Sequence, residues 1–239
     1  MSASVQPLQE VDAMANFRLG EKAAFSLAAE MSIQNIDRIL ENLEDFFPNA
    51  KAQAFLRKQQ ELSSCTDKRE RDIIESELDL MEIEWRGSFP AYFFWSLLVL
   101  LWGEIEKLLD RFATEARSNK GFEYELSDIK GNFTYSRFRK YVQTILGARL
   151  QENNAVDDLQ FLRNLYAHHS GEISSYPESK MKRINSIIQH NAGVSQLDSL
   201  ILVDATYIRS AINNARSLFR TLSDIHPSGE PTFVETDMH

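Results

Sequence analysis

Phe93-Phe94-Trp95-Ser96-Leu97-Leu98-Val99-Leu100-Leu101-Trp102 is the stretch that decides the fold. Apolar side chains surround the axis if it is helical, and a helix hydrophobic all round belongs in the centre of a bundle. The run is about half of what a membrane span needs, and Glu104 and Glu106 follow it. From Glu104 onward the pattern becomes one-sided, with Ile105, Leu108, Leu109 and Phe112 inward, so a helix is expected over 91–118. Gly87-Ser88-Phe89-Pro90 reads as the turn before it, with proline at a helix start.

Working outward, Leu27, Met31, Ile36, Ile39, Leu40 and Leu43 recur at helical spacing, predicting a helix over 19–47 that Pro48 ends. A second stretch, 50–86, carries weak helix formers at Ser63-Ser64-Cys65-Thr66-Asp67, which mark a break. Beyond it Ile73, Ile74, Leu78, Met81 and Trp85 define one apolar face. On the C-terminal side, helices are expected over 136–146 with Gly147 as stop, over 157–169 with Gly171 as stop, over 179–189, and over 204–225. Leu200-Ile201-Leu202-Val203 is a brief β-like run. The segment 226–239 carries two prolines and little apolar content and reads as a disordered tail.

Composition supports helices. Nine glycines and six prolines in 239 residues are too few for a sandwich, barrel or dinucleotide-binding fold with many tight turns. One cysteine, Cys65, excludes an internal disulfide framework and any multi-cysteine metal site. The N-terminus lacks an apolar signal core, so the chain is expected to be soluble, cytoplasmic and without a membrane partner. The net charge of −9 argues against an extended non-specific nucleic-acid binder, yet leaves room for a small local basic site. GxGxxG, P-loop, HExxH, GxSxG and CxxC motifs are absent from the sequence. The carboxylates Glu75, Glu77, Asp79, Glu82 and Glu84 read as a solvated helix face, and no metal or other cofactor is expected.

The chemically informative segment is Leu162-Arg163-Asn164-Leu165-Tyr166-Ala167-His168-His169-Ser170-Gly171. Read for stability, His168 and His169 are cations at a helix C-terminus, and Arg163 is an ion-pair partner of Asp157 or Asp158. Read for chemistry, the segment concentrates hydrogen-bond donors and a titratable base among apolar residues that pack it against a neighbour. At 3.6 residues per turn, Asn164 and His168 lie about 40° apart and Arg163 and His168 about 140° apart. Arg163 and His168 would converge if two copies of the helix met across a two-fold axis.

Arg163-Asn164-Leu165-Tyr166-Ala167-His168, followed by His169-Ser170-Gly171, resembles the R-x4–6-H motif of HEPN domains in its Arg-Asn-x-x-x-His form. The apolar helix with Glu106-Lys107-Leu108-Leu109, the segment Asp128-Ile129-Lys130-Gly131 and the closing helix after Val203 resemble the rest of that domain. The likeness covers roughly 67–225, leaving 1–66 as an N-terminal helical region beside the main domain. It implies an all-α fold, an antiparallel helical bundle of the HEPN type with an extra N-terminal helix, dimerised through the motif helices.

The resemblance further implies a metal-independent endoribonuclease, of a kind used in toxin–antitoxin or anti-phage systems. In such enzymes the 2′-hydroxyl attacks the adjacent phosphate and leaves 2′,3′-cyclic phosphate ends. By position, His168 would be the general acid or base, Arg163 would neutralise the phosphate, and Asn164 would orient one of them. His169 and Glu106 would stand on the RNA-binding side, Glu106 as a carboxylate buttressing Arg163. The implied partners are RNA, a second copy of the chain, and an antitoxin or defence-system protein. The sequence departs from members paired with a nucleotidyltransferase antitoxin, which carry tyrosine two residues after the motif histidine; here it is Ser170. The other reading the resemblance allows is a non-catalytic dimerisation module that binds a nucleotide or a protein.

Overall fold

A computed structural model describes residues 8–121, 123–131 and 134–225. The segment 226–239, expected to be disordered, lies outside the described residues. The elements in chain order are α1 (Leu8–Ser64), α2 (Lys68–Arg86), α3 (Ser88–Lys120), a 3-10 turn (Leu126–Asp128), α4 (Thr134–Leu146), α5 (Asn154–His169), α6 (Glu178–His190), β1 (Val194–Leu197), β2 (Leu200–Val203) and α7 (Ala205–Asp224). The protein is mostly helical, with β1 and β2 as an antiparallel hairpin that pairs Val194 with Val203 and Leu197 with Leu200. The sequence pattern points only to the run 200–203; β1, with three of its four residues exposed, carries no apolar run of its own.

The chain forms two compact units. The first gathers α1 up to Ser32, Glu104–Asn153 and the segment from Ala215; the second gathers Ile33–Gly103 and Asn154–Asn214. In the first, Phe25 of α1 sits edge-on to Phe112 (5.5 Å) and to Phe219 (6.4 Å), and Phe112 meets Phe138 of α4 at 5.7 Å. The buried Tyr141 donates its hydroxyl to the Ala113 carbonyl (3.1 Å), so a polar tip is satisfied inside an aromatic core.

The second unit is built on the apolar stretch of α3. Trp95, Leu98, Leu101 and Trp102 are almost fully buried, together with Ile36 and Leu40 of α1, Leu162 and Leu165 of α5, and Ile208 and Ile212 of α7. The break at the end of α1 falls at Cys65–Asp67, as the sequence indicates, and Asp67 caps α2 by accepting the Glu70 N–H (2.9 Å). Asp204 likewise caps α7, its Oδ1 accepting the Thr206 N–H (2.8 Å).

Several expectations are corrected. Pro48 lies inside α1 and does not end it. A proline in a helix interior costs about 3 kcal/mol. Its neighbour Phe47 is buried against Phe93 (5.3 Å), Phe94 (5.7 Å) and Phe89 (6.1 Å). Burying the ring is worth about 2–3 kcal/mol and each aromatic pair about 1 kcal/mol more, so packing outweighs the proline. Asn49 Nδ2 also bonds the Asp45 carbonyl in the turn beside Pro48 (2.8 Å).

The inward face of α1 is Phe25, Ala29, Ile33, Ile36 and Leu40; Leu27, Met31 and Ile39 are exposed. Of the face expected on α2, Ile74 is buried and Leu78, Met81 and Trp85 are half-buried, while Ile73 stays exposed; Leu80 and Ile83, outside that face, are exposed too. Nor is α3 covered on every side. Phe89, Tyr92, Phe93 and Leu100, 39–51% exposed, lie within about 100° of one another around its axis and form an open apolar strip.

The helical run 68–118 is, by length and composition, apolar enough to cross a membrane. Its most apolar 18-residue window has a mean hydropathy of 1.3, and 47% of that window is buried inside the structure. The core helix of a soluble protein meets the same criterion.

Candidate active site

The motif segment is the second half of α5. Val156, Leu159, Phe161, Leu162 and Leu165 bury one side of the helix. That leaves Arg163 and Asn164 half-buried and His168 and His169 exposed in the last turn. The helix stops because Ser170 and Gly171 adopt left-handed conformations, φ 52° and 81°. Ser170 N–H then bonds the Tyr166 carbonyl (2.8 Å) and Glu172 N–H bonds the His169 carbonyl (2.8 Å), satisfying two carbonyls that the helix end exposes.

This end is clamped by residues distant in sequence. Tyr166 stacks on Trp95 of α3, ring centres 5.0 Å apart and planes within 6°. The Trp95 indole N–H donates to the Ile201 carbonyl (3.1 Å), and Ile201 N–H donates to the Gly171 carbonyl (3.0 Å). Ile173 N–H reaches the Ser199 carbonyl (2.9 Å). The Glu172 carboxylate accepts the Ser174 N–H (3.0 Å) and the Ser199 hydroxyl (2.9 Å). Those bonds, Ser174's backbone foremost and Ser199 next, hold the Glu172 carboxyl below the usual glutamate range. The hairpin thus fastens the histidine-bearing end of α5 to α3.

Arg163 Nη1 donates to Asn164 Oδ1 (2.9 Å). The bond ties the guanidinium to the residue that shares a side with His168. Arg163 Nε is buried and has no hydrogen-bond partner among the described residues. The carboxylate of Asp158 pairs with Arg183 of α6 (3.4 Å), whose Nη2 also bonds the Asp157 carbonyl (2.9 Å). The stability reading of Arg163 as partner of these aspartates therefore gives way to Arg183, which also covers the Phe161 ring at 4.6 Å.

Glu106, expected beside Arg163, belongs to the first unit and accepts the Thr134 hydroxyl there (3.0 Å). His169 meets Tyr176 edge-on, ring centres 4.8 Å apart, and Lys180 Nζ stands over the Tyr176 ring at 4.8 Å. Sequence reasoning misses Tyr176, Lys180, Trp95 and the hairpin as parts of the site. The available signal is an exposed-type aromatic directly before proline, Ser175-Tyr176-Pro177.

Among the described residues, no three His, Cys, Asp or Glu side chains group as a metal site. Two clefts lie in the first unit, away from the motif residues in sequence. One of about 460 Å³ contains the Arg117–Glu125 pair (2.6 Å) and Tyr141; the other, about 420 Å³, contains Arg149 and Glu152. No protein-family model matches the chain, and no curated protein or solved structure is significantly similar to it.

Proposed function

We propose that the protein is a HEPN-type, metal-independent endoribonuclease, cytoplasmic, acting as a homodimer in a toxin–antitoxin or anti-phage setting. The observation that carries this reading is the linked set on α5. Arg163 is tied to Asn164, and Asn164 shares a side with the exposed His168 at a rigidly fastened helix end.

In this mechanism a neutral His168 takes the proton from the ribose 2′-hydroxyl as that oxygen attacks the adjacent phosphorus. The bond from phosphorus to the 5′-oxygen breaks, and a second, protonated histidine returns a proton to the leaving oxygen. The products are a 2′,3′-cyclic phosphate and a 5′-hydroxyl. Arg163 neutralises the charge that builds on the phosphoryl oxygens. Asn164, its amide oxygen occupied by Arg163, fixes the guanidinium and keeps its amide N–H groups available to substrate. The second histidine comes from a second copy of α5 across a two-fold axis, since an isologous interface pairs each patch with itself.

The decisive experiment is induced expression of wild type beside His168→Ala, followed by purified-protein assays on RNA in excess EDTA. The reading requires growth arrest and RNA cleavage by wild type alone, with cyclic-phosphate ends. Loss of cleavage in EDTA, restored by a divalent cation, refutes the metal-free mechanism.

The open apolar strip of α3 favours a second reading, a non-catalytic module that uses this surface to bind a protein partner. Intact RNA beside the soluble wild-type protein would select it.

A further inference from the structure

The exposed end of α5 leads directly into a loop that carries an aromatic ring flanked by a lysine and a histidine. Tyr176 N–H bonds the Ile173 carbonyl (3.0 Å), and Pro177 follows, so the ring stands on a fixed turn. One turn further, Lys180 N–H bonds the Pro177 carbonyl (2.9 Å) at the start of α6, and its ammonium lies over the Tyr176 ring. His169, next in sequence to the motif histidine, closes the edge of the same ring. The neighbouring carboxylates are engaged: Glu172 by Ser174 and Ser199, and Glu178 by Lys182 (3.6 Å). In a chain of net charge −9, this is a local concentration of donors beside the motif.

We propose that Tyr176, with His169 and Lys180, forms a stacking subsite for a nucleobase of single-stranded RNA adjoining the phosphate that His168 and Arg163 address. The proposal rests on the ribonuclease reading. Proteins that hold single strands combine aromatic platforms for the bases with cations along the backbone, and both parts are present here. An exposed ammonium over a ring is a weak contact, and a stacked base outweighs it. An arriving base therefore displaces Lys180 from the ring and frees its ammonium to meet the strand's phosphate. The fixed turn lowers the ordering cost of that exchange. Stacking tolerates every base, so the subsite confers a modest preference for the larger purine surface over pyrimidine and no strict sequence requirement.

The test uses the full-length chain with His168→Ala, which prevents cleavage, and a fluorescently labelled single-stranded RNA oligonucleotide read by anisotropy. Adding Tyr176→Ala is expected to weaken binding about tenfold, and adding Tyr176→Phe to leave it nearly unchanged. Adding Lys180→Ala is expected to weaken it and to reduce the slope of affinity against salt by about one. Circular dichroism checks folding; if Tyr176→Ala is unfolded, the Lys180→Ala salt slope and Tyr176→Phe retention decide. Unchanged affinity and salt slope in Lys180→Ala, or unchanged affinity in a folded Tyr176→Ala, overturns the subsite while leaving the nuclease reading intact. Absence of both RNA binding and wild-type cleavage overturns the ribonuclease reading and this proposal with it.

Discussion

Replacing Gly171 by alanine tests the clamp at the end of α5, and its cost divides into two parts. The first is conformational: at φ 81° an L-residue is disfavoured by about 1–2 kcal/mol. The second is steric. A Cβ there comes within 3.2 Å of the Ile201 carbonyl and 3.6 Å of the Trp95 indole nitrogen, so the backbone must give. The Ile201 carbonyl accepts the indole N–H, and Ile201 N–H donates to Gly171 itself. Weakening one of these bonds adds about 1 kcal/mol. Gly171→Ala is therefore expected to cost about 2–3 kcal/mol, lowering Tm by about 4–12 °C for a chain of this size. Gly147, at φ 64°, has open space where a Cβ would stand, with nothing within 4 Å, so Gly147→Ala carries only the conformational part, about 1–2 kcal/mol. Thermal unfolding by circular dichroism gives the totals. Exchange of the Trp95 indole proton, followed by NMR, gives the local effect, with faster exchange in Gly171→Ala alone. Equal indole exchange in the two variants would refute the close-approach argument, whatever their Tm values.

His168→Ala is expected to abolish RNA cleavage while His169→Asn retains most of it; the reverse pattern would show that the motif register is wrong. Sedimentation at micromolar concentration is expected to give a dimer, and mixing wild type with His168→Ala protomers to lower activity more steeply than the wild-type fraction falls, because a mixed dimer lacks one of the two histidines; a monomer that cleaves RNA contradicts the composite site. Because hydrogen bonds to the carboxylate depress the Glu172 pKa in the folded state, its stabilisation is complete above the ordinary glutamate value of about 4.3 and is lost as pH falls through the lower folded value. Acid-induced loosening of the hairpin, followed by amide exchange at Ile173 and Ile201, should therefore lose part of its pH dependence in Glu172→Gln. Trp95→Phe is expected to destabilise more than Trp102→Phe: Trp95 loses its bond to Ile201, whereas Trp102 Nε1 is buried without a partner among the described residues. Equal losses in denaturant titration would count against that distinction.

The helical character and most helix positions are legible from periodicity and from local punctuation. Asp67, Gly147 and Gly171 each stop or start a helix through their own backbone or side chain, which needs no tertiary information. Pro48 misleads because its local cost is overridden by Phe47, whose aromatic partners on α3 lie forty or more residues away in sequence. The open strip of α3 is illegible for the converse reason: composition gives the apolarity of a helix but not how many neighbours arrive to cover it. At the site, Arg163, Asn164 and His168 are evident from one short segment. The actual fasteners are not, because the Trp95 indole reaches a backbone carbonyl at Ile201, 106 residues away, and Glu172 takes a backbone N–H and a serine hydroxyl, partners that leave no residue signature.

The same clamp has a consequence for synthesis. Residue 171 completes the motif, but Ile201, which locks it to Trp95, is translated about thirty residues later. At about 5–20 residues per second, the segment stays unfastened for about 2–6 s on the ribosome. Until then the end of α5 goes without the Ile201 bonds to Trp95 and Gly171, which do not yet exist. The hairpin therefore acts as a delay: the motif segment is made first and takes its fixed position only once Ile201 has emerged.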